Sequence, residues 1–355
     1  MNTFYFIKKF VAITLSIVAC FAIISFAAIL SYNFSATEVK VAASQDLGNV
    51  ATNSQSNINQ NPLPVQLLPQ APIATNILLL GFDEGGGLPD TVLVLTYDSV
   101  SNMLDIISIP RDTALIPTTQ EAQKARELGL RNMPSNNLPI KINELHSIMG
   151  NTYGYRFLQN RIGTMLGIEF DYYVHLDLDA FRYIVDAVGG IYMDIRQGGL
   201  EYSDPYQNLF INLPEGRHLL DGQMAEHFVR FRDFRGDLGR IDNQQAFMSA
   251  FFSQVLAREN IMSNIMPLFN SFVQFVRTDF GLLSALRFAP AALSLNTENI
   301  GFHTLEGTAR STQHAFGHRS NFFFVDEVYA IGLIDRIRSE NNKQLTVATD
   351  SDSNI

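Results

Sequence analysis

The stretch Thr75-Asn76-Ile77-Leu78-Leu79-Leu80-Gly81-Phe82 decides the fold, because its short continuous apolar run predicts a buried β-strand. Residues 91–97 and 103–109 repeat the strand pattern and are separated by the polar segment Ser99-Val100-Ser101-Asn102. Two such runs joined by a short turn predict an antiparallel pair. The chain therefore builds a sheet from its first folded residues onward.

The next part of the chain alternates strands with a helix. Residues 172–178 and 191–195 have strand character. Between them, residues 180–188 predict a helix that Asp179 can cap and Gly189-Gly190 would end. This strand–helix–strand order is typical of a layered α/β or α+β domain.

Helical patterns dominate after Gly222. Beyond Arg240, apolar residues recur at helical spacing, and we interpret them as core packing. They are Phe247, Met248, Phe251, Phe252, Val255 and Leu256. Residues 261–340 predict further amphipathic helices on the same domain, and the polar residues 341–355 predict a flexible tail. The predicted folded domain covers residues 73–340.

The N-terminus carries the clearest physical signal. No charged residue lies between Lys9 and Glu38, and residues 10–32 form an apolar run long enough for a transmembrane helix. Lys8 and Lys9 precede this run, so the positive-inside rule places residues 1–9 in the cytoplasm. Everything after the anchor would then lie on the extracytoplasmic side.

Two other interpretations of this segment stay open. A cleaved signal peptide has an apolar region of roughly 7–15 residues, which is shorter than this run. Ile17-Val18-Ala19-Cys20 resembles a lipoprotein cleavage site, although residues 21–30 continue the apolar run. Residues 33–72 turn to Asn, Gln, Ser and Pro, which predicts a disordered linker between the anchor and the domain.

Composition limits the possible partners. With 46% apolar and 17% charged residues, the 355-residue chain can bury one large core or two ordinary ones. The net charge of −10 argues against general nucleic-acid binding, which depends on clustered Lys and Arg. Cys20 is the only cysteine, which excludes a disulfide framework and a Cys-rich zinc site. Any anion-binding site must therefore be local.

One short segment reverses the sign of this acidic chain. Its charged residues are Arg230, Arg232, Asp233, Arg235, Asp237 and Arg240. Guanidinium groups match phosphate oxygens bidentately, so the cluster suits a diphosphate. Asp237 could cap a helix that presents Arg240 and Gln244 on one face. A solvated surface of Arg–Asp pairs explains the same residues equally well.

Three further groups favour a ligand site. Asp83 ends a predicted strand and Asp90 follows the flexible turn Gly85-Gly86-Gly87, while Arg111 ends another strand and Lys141 follows a Pro-rich loop. Strand-end carboxylates are suitable ligands for a hard divalent cation, which usually brings substrate phosphates with it. The glycine turn is not a nucleotide-binding loop, because no Gly-Lys-Ser/Thr follows it.

Eight short fragments follow one another in the motif core at residues 75–256. They are Asn76-Ile-Leu-Leu-Leu-Gly-Phe-Asp83, Asp90-Thr91, Ser108-Ile-Pro-Arg-Asp112, Lys141-Ile-Asn143, Asp186-Ala-Val-Gly-Gly190, Leu220-Asp-Gly222, Val229-Arg-Phe-Arg232 and Asp237-Leu-Gly-Arg240. The ordered set resembles the LytR-CpsA-Psr family of bacterial cell-envelope proteins. An anchor, a spacer and an extracytoplasmic domain also match that family's usual architecture.

This resemblance implies a fold and an activity. The implied fold is a three-layer α/β/α sandwich around a mixed sheet, with an apolar tunnel for a polyprenyl chain and a polar mouth for its diphosphate. The implied activity is that of a phosphotransferase-type ligase, which moves a teichoic acid or capsular polysaccharide from a polyprenyl diphosphate carrier to peptidoglycan. A sugar hydroxyl of the acceptor would be the nucleophile, and cations fixed beforehand would stabilise the charge that grows on the phosphates.

The resemblance also assigns roles by position. Asp83 and Asp90 would hold Mg²⁺, and Lys141 would line the same mouth. Asp237 would orient the arginines or act in proton transfer. The side chains implied to bind the diphosphate are Arg111, Arg230, Arg232, Arg240 and Gln244. Of these, Arg111 and Arg240 would act in catalysis together with Asp237.

Two positions depart from the family pattern, and two other functions stay open. Leu88 and Asn243 stand where the family commonly has arginine, and Arg235 could partly compensate.

One alternative function is a polyprenyl diphosphate pyrophosphatase or hydrolase that passes the substrate to water. The other is a non-enzymatic envelope-regulatory or lipid-binding protein. Only about nine residues precede the anchor, too few for a cytoplasmic DNA-binding fold.

Other patterns have simpler explanations. His314 and His318 are four residues apart, as metal ligands on a helix are, but Gly317 lies between them and no acidic partner is in place, so we interpret them as loop residues. Helix capping and solubility explain Asp177 and Asp179 better than a hydrolytic pair. The chain also lacks a Gly-x-Ser-x-Gly nucleophile elbow, so an acyl-transfer mechanism has no nucleophile.

Overall fold

The computed structural model describes residues 74–83, 87–130, 133–205, 209–233, 237–256 and 297–352, with parts of 267–295. All of these belong to one compact unit, Val65–Ile355. The predicted cytoplasmic segment 1–9, anchor 10–32 and linker 33–72 lie outside the described residues. Among the helices that are described, none combines the length and the apolar character needed to cross a bilayer.

Within the described residues the chain forms six α-helices and fourteen strands. The helices are α1 (Thr119–Glu127), α2 (Ile142–Leu166), α3 (Leu178–Ala187), α4 (Gly222–Arg230), α5 (Asp237–Val255) and α6 (Glu327–Asp352). The strands are β1 (Ala74–Phe82), β2 (Pro89–Asp98), β3 (Met103–Ile109), β4 (Ala114–Leu115), β5 (Ile140–Lys141), β6 (Tyr172–Asp177), β7 (Ile191–Ile195), β8 (Leu200–Asp204), β9 (Leu209–Leu213), β10 (Gly216–Leu220), β11 (Arg277–Thr278), β12 (Ile300–Thr304), β13 (Gly307–Gln313) and β14 (Arg319–Val325).

Six strands make the main sheet, in the order β11-β6-β1-β2-β3-β12. Strand β2 runs antiparallel to β1 and to β3, and its pairing with β3 is the antiparallel pair that the sequence predicts. Strand β6 runs parallel to β1, and β12 runs parallel to β3. The predicted mixed sheet within an α/β domain is therefore confirmed.

One face of this sheet packs into the main hydrophobic core. The register aligns Leu78 with Val94 and Val94 with Ile107, so that three fully buried side chains form a row across β1, β2 and β3. Apolar residues of α1, α2 and α6 cover this face. Since strand side chains alternate between faces, the neighbours of these residues must point to the other side of the sheet.

A second hydrophobic core lies around two antiparallel strand pairs. Strands β7 and β10 form one antiparallel pair, and β8 and β9 form the other. Their inward residues, such as Met193 and Ile211, pack with buried residues of α3, α4 and α5. Asp177 caps α3 by accepting a hydrogen bond from the backbone N–H of Ala180 at 2.8 Å. The expectation that Asp179 would be this cap is therefore wrong.

The C-terminal part differs from the prediction that residues 261–340 are helical. Four strands, β11 to β14, lie within it, and only α6 is a long helix among its described residues. Strands β13 and β14 form a largely exposed hairpin, with seven paired positions from Gly307 to Gln313. An exposed hairpin needs no apolar alternation, so its sequence carries little strand signal.

The predicted flexible tail is also corrected in part. Helix α6 continues to Asp352 and thus runs through most of residues 341–355. The buried Asn341 donates a hydrogen bond from Nδ2 to Oδ2 of Asp105 on β3, at 2.9 Å. This contact fixes the middle of the helix to the sheet.

Two buried histidines lie beneath the end of β1. His146 and His175 are 1% and 4% exposed, and Phe82 stacks on the His175 ring at a centroid distance of 4.0 Å. The phenol of Tyr155 hydrogen-bonds with Nδ1 of His175 at 2.7 Å. Burial lowers the pKa of both histidines to about 4, and mutual repulsion adds to the effect at His146. Both rings are therefore neutral in the folded protein at neutral pH.

These rings make stability depend on pH. A histidine whose pKa is lowered by folding stabilises the protein fully above its unfolded pKa of 6.5, and this contribution is lost as the pH falls towards 4. Protonation of each ring would lower the free energy of unfolding by up to about 3 kcal/mol. Chemical denaturation of the purified chain at pH 7 and pH 5 should show this fall, and His146→Phe should make it smaller. The half-exposed His218→Phe is the control, and an unchanged pH dependence in His146→Phe would contradict the assignment.

Candidate active site

The second face of the main sheet forms one wall of a cavity of about 280 Å³. Helices α3 and α5 provide the opposite wall, and the hairpin β8–β9 closes one side. Apart from its polar rim, the lining is almost wholly apolar, with Leu79, Leu93, Leu95, Ile106, Phe181, Ile184, Val185, Tyr202, Leu209, Val229, Phe247, Met248, Phe251 and Phe252 among its residues. The cavity therefore suits an apolar chain.

The apolar stripe of α5 faces this cavity. Phe247, Met248, Phe251 and Phe252 all line it, and of these only Phe247 is fully buried. The second hydrophobic core contains Phe247 and Val255, with Phe251 packed against it, so the prediction of core packing is confirmed for these three residues. It is wrong for Met248 and Phe252, which line the cavity and are not part of that core. Helical periodicity identifies the residues that share a face, but it does not show whether a neighbouring element fills the space opposite.

The polar mouth of the cavity gathers most of the predicted site residues. Asp83 follows the end of β1, Asp90 lies in β2, and Arg230 and Arg232 lie at and just beyond the end of α4. Arg240 and Gln244 follow on the first turns of α5, one turn apart. The residues at this mouth are Asp83, Asp90, Arg230, Arg232, Arg240 and Gln244. Residues distant in sequence thus converge on one rim, where three arginines lie beside Asp83 and Asp90, and Asp177 at the end of β6 lines the same cavity.

Two mouth residues of helix α5 form hydrogen bonds with strand β2. Arg240 is 4% exposed and donates a hydrogen bond to the backbone oxygen of Asp90 at 3.0 Å. Gln244 donates from Nε2 to the hydroxyl of Thr91 at 3.1 Å. A Cβ at Gly239 would lie 2.2 Å from the Oδ1 atom of Asp233, so a larger residue there would displace the Asp233 side chain. These contacts hold two predicted ligand-binding side chains in a fixed relation to Asp90.

Arg111 enters the site beside the mouth. It lines a small adjoining pocket together with Asp90, Arg240 and Gln244, and its guanidinium pairs with the carboxylate of Asp90. On its other side Asp112 lies 3.9 Å from the Nε atom of Arg111 and 2.8 Å from the Nζ atom of Lys141. Positive and negative groups therefore alternate from the mouth outward.

Lys141 lies in this charged row, although it is not among the residues that line the cavity. It immediately precedes α2, and the carboxylate of Glu144 accepts its backbone N–H at 2.8 Å. The same carboxylate lies 2.7 Å from Nε2 of the buried His314. The statement that no acidic partner stands beside the His314 and His318 pair is therefore wrong, although the loop assignment for both is correct.

Arg230 is held by a carboxylate that we did not predict. Glu226, one turn earlier in α4, accepts its hydrogen bond at 2.6 Å and also accepts one from Arg182 on α3 at 2.7 Å. Arg230 and Glu226 are four residues apart, a spacing at which helical ion pairs form, so the sequence did contain this signal. Arg182 lies 44 residues before Glu226, and only the folded chain brings them together.

A divalent cation fits the carboxylates of the mouth. Asp83 and Asp90 line the same rim, and Mg²⁺ is usually held by one or two carboxylates together with substrate phosphates. Among the described residues no group of three or more carboxylate, imidazole or thiol side chains could hold a metal by itself. The donor set thus suits a cation that arrives with a phosphate-bearing ligand.

Some predicted positions stay outside the described contacts. Helix α5 begins at Asp237, which the sequence predicts as its cap; the side chain of Asp237 lies outside the described part, as does Arg235. Leu88 is 40% exposed and does not line the cavity. Asn243 donates a hydrogen bond from Nδ2 to the backbone oxygen of Phe231 at 3.3 Å. Neither of the two departing positions thus adds a cation to the described mouth.

An apolar cavity with a cationic mouth predicts binding of an amphiphile with an anionic head. Leu79→Trp would fill the cavity from the sheet side, so the affinity for dodecyl phosphate should fall at least about tenfold. The chain has no other tryptophan, so fluorescence of the new side chain also reports whether it is buried. Isothermal titration calorimetry measures the affinity. Val100→Trp, at a site that is 59% exposed, is the matched control. Equal affinity of both variants for dodecyl phosphate would show that the cavity does not bind the dodecyl group.

Two curated proteins are similar in sequence to this chain. Bacillus subtilis (strain 168) TagV, a polyisoprenyl-teichoic acid–peptidoglycan teichoic acid transferase, is 27% identical over 227 residues, which is 62% of this chain and 52% of that protein. The cell wall biosynthesis protein LcpA of Corynebacterium glutamicum is 26% identical over 300 residues, 79% of this chain and 53% of that protein. The chain thus spans about half the length of these curated relatives.

The fold and the whole-chain comparison point the same way. The crystal structure of B. subtilis TagV superposes with a TM-score of 0.57 at 22% identity, covering 77% of this chain and 97% of that one. This likeness shows a shared fold. The sequence model of the LytR_cpsA_psr family matches residues 31–327, which is most of the chain. The chain therefore belongs to the LytR-CpsA-Psr family, as its ordered fragments indicated.

Proposed function

We propose that the protein is a phosphotransferase-type ligase that transfers a cell-wall glycopolymer from a polyprenyl diphosphate carrier to peptidoglycan. The observation that carries the proposal is the cationic mouth on the apolar cavity, which matches an anionic head on a long apolar tail. The printed name of TagV describes a transferase that joins teichoic acid from a polyisoprenyl carrier to peptidoglycan. Membership of the same family supports an activity of this kind here.

The substrate would be held in two parts. The isoprenoid chain would lie between the sheet and α5, in the middle of the proposed three-layer α/β/α arrangement, in the cavity that Leu79 and Phe251 line. The diphosphate lies at the mouth, where Arg230, Arg232 and Arg240 offer donors in planar forks. Burial of the isoprenoid fixes the distance between the diphosphate and the floor of the cavity, and this positions the reacting phosphorus.

Transfer is a single substitution at phosphorus. A hydroxyl oxygen of the peptidoglycan acceptor forms the new bond to the sugar-bearing phosphorus, and the bridging bond of the diphosphate breaks. Polyprenyl phosphate leaves with the electron pair. The carrier linkage is already activated, so no nucleoside triphosphate is required.

The described side chains stabilise the charge that grows during this step. Arg240 is buried and fixed to β2, so its donors need no reorganisation when the phosphates become more negative. Arg111 reaches the same region from the end of β3, and Gln244 offers a neutral donor. We assign the proton of the acceptor hydroxyl to Asp237, or alternatively an orienting role for that residue, because it begins the helix that carries Arg240.

Asp83 and Asp90 are the residues that we propose to hold Mg²⁺. When bound, this ion supplies positive charge that offsets the charge of the phosphate oxygens. Asp90 is paired with Arg111 in this structure, so a bound metal would compete with Arg111 for this carboxylate. Arg111 would then turn its donors towards the substrate phosphates.

We also propose that the domain works outside the cell membrane, on a single N-terminal anchor at residues 10–32. The apolar length of that segment and the lysines before it support the proposal. A carrier lipid resides in the bilayer, so an anchored domain would meet its substrate at the membrane surface. Attaching a protease site within residues 33–72 and finding cleavage only from the cytoplasmic side would overturn this topology.

Arg111→Ala and Arg230→Ala should each reduce transfer strongly. The assay combines the purified chain, a lipid diphosphate-linked glycan, peptidoglycan and Mg²⁺, and measures the attached polymer. Loss of one fixed cation should lower kcat/KM about a hundredfold. Arg319→Ala, on the exposed hairpin β13–β14, is the matched control and should keep full activity. Undiminished product formation by both mouth variants would contradict the proposal.

Two further arms of this assay separate the remaining questions. In water labelled with oxygen-18, a hydrolase would place the label in the released phosphate, whereas a ligase would give unlabelled polymer bound to peptidoglycan.

Chelation of divalent cations should stop transfer, and Asp83→Asn should require about tenfold more Mg²⁺ for recovery. The exposed Asp194→Asn on β7 is its control, and transfer without any divalent cation would exclude the metal role.

A further inference from the structure

An alternating row of charges runs from the protein surface to the cavity mouth. Asp179, which is 71% exposed, pairs with Arg182 at 2.5 Å. Arg182 pairs with the buried Glu226, and Glu226 pairs with Arg230 at the mouth. Each of the two oxygens of Glu226 accepts from a different guanidinium, one on α3 and one on α4. The carboxylate is therefore shared between a mouth residue and a residue behind it.

Close packing of α4 on α3 creates this row. Gly222, Glu226 and Arg230 are spaced four residues apart, so they lie along one face of α4. A Cβ at Gly222 would lie only 2.5 Å from the backbone oxygen of Arg182. The N–H of Gly222 also donates to Oδ1 of Asp186 on α3 at 2.7 Å. The glycine thus lets the two helices approach until Glu226 reaches Arg182.

A buried carboxylate of this kind must be paired. Glu226 is 3% exposed, and an isolated charge at that depth would be strongly unfavourable. Two guanidinium groups compensate it and leave one net positive charge on the trio. Because one oxygen is bound by Arg182, the other is fixed in space and can fix Arg230 in turn.

The neighbouring arginine lacks such support. Arg232 lines the same cavity, but it forms no ion pair with any carboxylate in the described part of the chain. A long side chain that must be ordered by its ligand loses about 0.5–1.5 kcal/mol of binding free energy through lost rotamer freedom. Arg230 is ordered before any ligand arrives, so the two mouth arginines differ in how well they are organised in advance.

We propose that Glu226, supported by Arg182, is a positioning residue that aims Arg230 at the diphosphate group of the substrate. This inference rests on the proposed function, because it assigns Glu226 to the same anion site. Glu226 acts through Arg230 and does not itself contact the substrate. Its negative charge opposes anion binding, so any benefit to affinity must come from the position that it gives to Arg230.

A double-mutant cycle tests this role. The probe is geranyl diphosphate, and calorimetry measures its affinity for the purified chain and for Glu226→Gln, Arg230→Ala and the double variant. Glu226→Gln should weaken binding about tenfold, and the double variant should match Arg230→Ala within about twofold. Asp179→Asn, which removes only the exposed partner of Arg182, is the matched control and should bind like the unmodified chain.

The outcomes distinguish the inference from the proposed function. Glu226→Gln that binds as tightly as the unmodified chain, or more tightly, overturns the positioning role, as does an equal loss in the Arg230→Ala background. If either of these results is found while Arg230→Ala by itself still weakens the binding of geranyl diphosphate, the proposed function stands. An unmodified chain that does not bind geranyl diphosphate, or an Arg230→Ala variant that binds normally, overturns both.

A conservative variant covers the case in which Glu226→Gln does not fold. Glu226→Asp keeps the negative charge but withdraws it by one methylene group, so the cavity keeps its charge and Arg230 loses its fixed partner. Positioning predicts at least about threefold weaker binding of geranyl diphosphate by this variant. Unchanged affinity would show that only the charge of Glu226 matters.

Discussion

The whole arrangement depends on the alternation of side chains along β1. Leu78 and Leu80 enter the fully buried core beneath α2 and α6, while Leu79, between them, lines the cavity. A shift of the register by one residue would exchange these two sets and place the core residues in the cavity. The same short run therefore determines the stability of the domain and the shape of its ligand site. This explains why a run with apolar residues at consecutive positions is needed here, instead of a strict alternation with polar ones.

The mouth of the cavity depends on a balance between cationic side chains and the carboxylates beside them. Four arginines and Lys141 would repel one another if the surrounding carboxylates did not compensate them, and three of these carboxylates also fix the direction of a cationic side chain. Asp90 holds Arg111, Asp112 holds Lys141, and Glu226 holds Arg230. Such pairs keep the cations ordered until a more highly charged ligand competes for them. The site thus combines a rigid apolar wall with a charged rim whose partners can be exchanged.

The sequence predicts the strands β1 to β3, the α3 and α4 segments and most of the mouth, because these features depend on local periodicity and on residues at strand and helix ends. It fails where the outcome depends on distant partners. Periodicity predicts core packing for the whole α5 stripe, because it cannot show that Met248 and Phe252 line a cavity instead. The exposed hairpin β13–β14 gives no apolar alternation, and Arg182 has no sequence relation to Glu226. Tertiary packing alone determines these three features.

The central claim is that one ligand occupies both the apolar cavity and the charged mouth. A crystal structure of the protein with farnesyl diphosphate bound tests it most directly. We expect the isoprenoid chain between Leu79 and Phe251, and diphosphate oxygens within about 3 Å of the guanidinium nitrogens of Arg230, Arg232 and Arg240. A diphosphate bound away from these arginines, or an isoprenoid chain lying outside the cavity, would contradict the account.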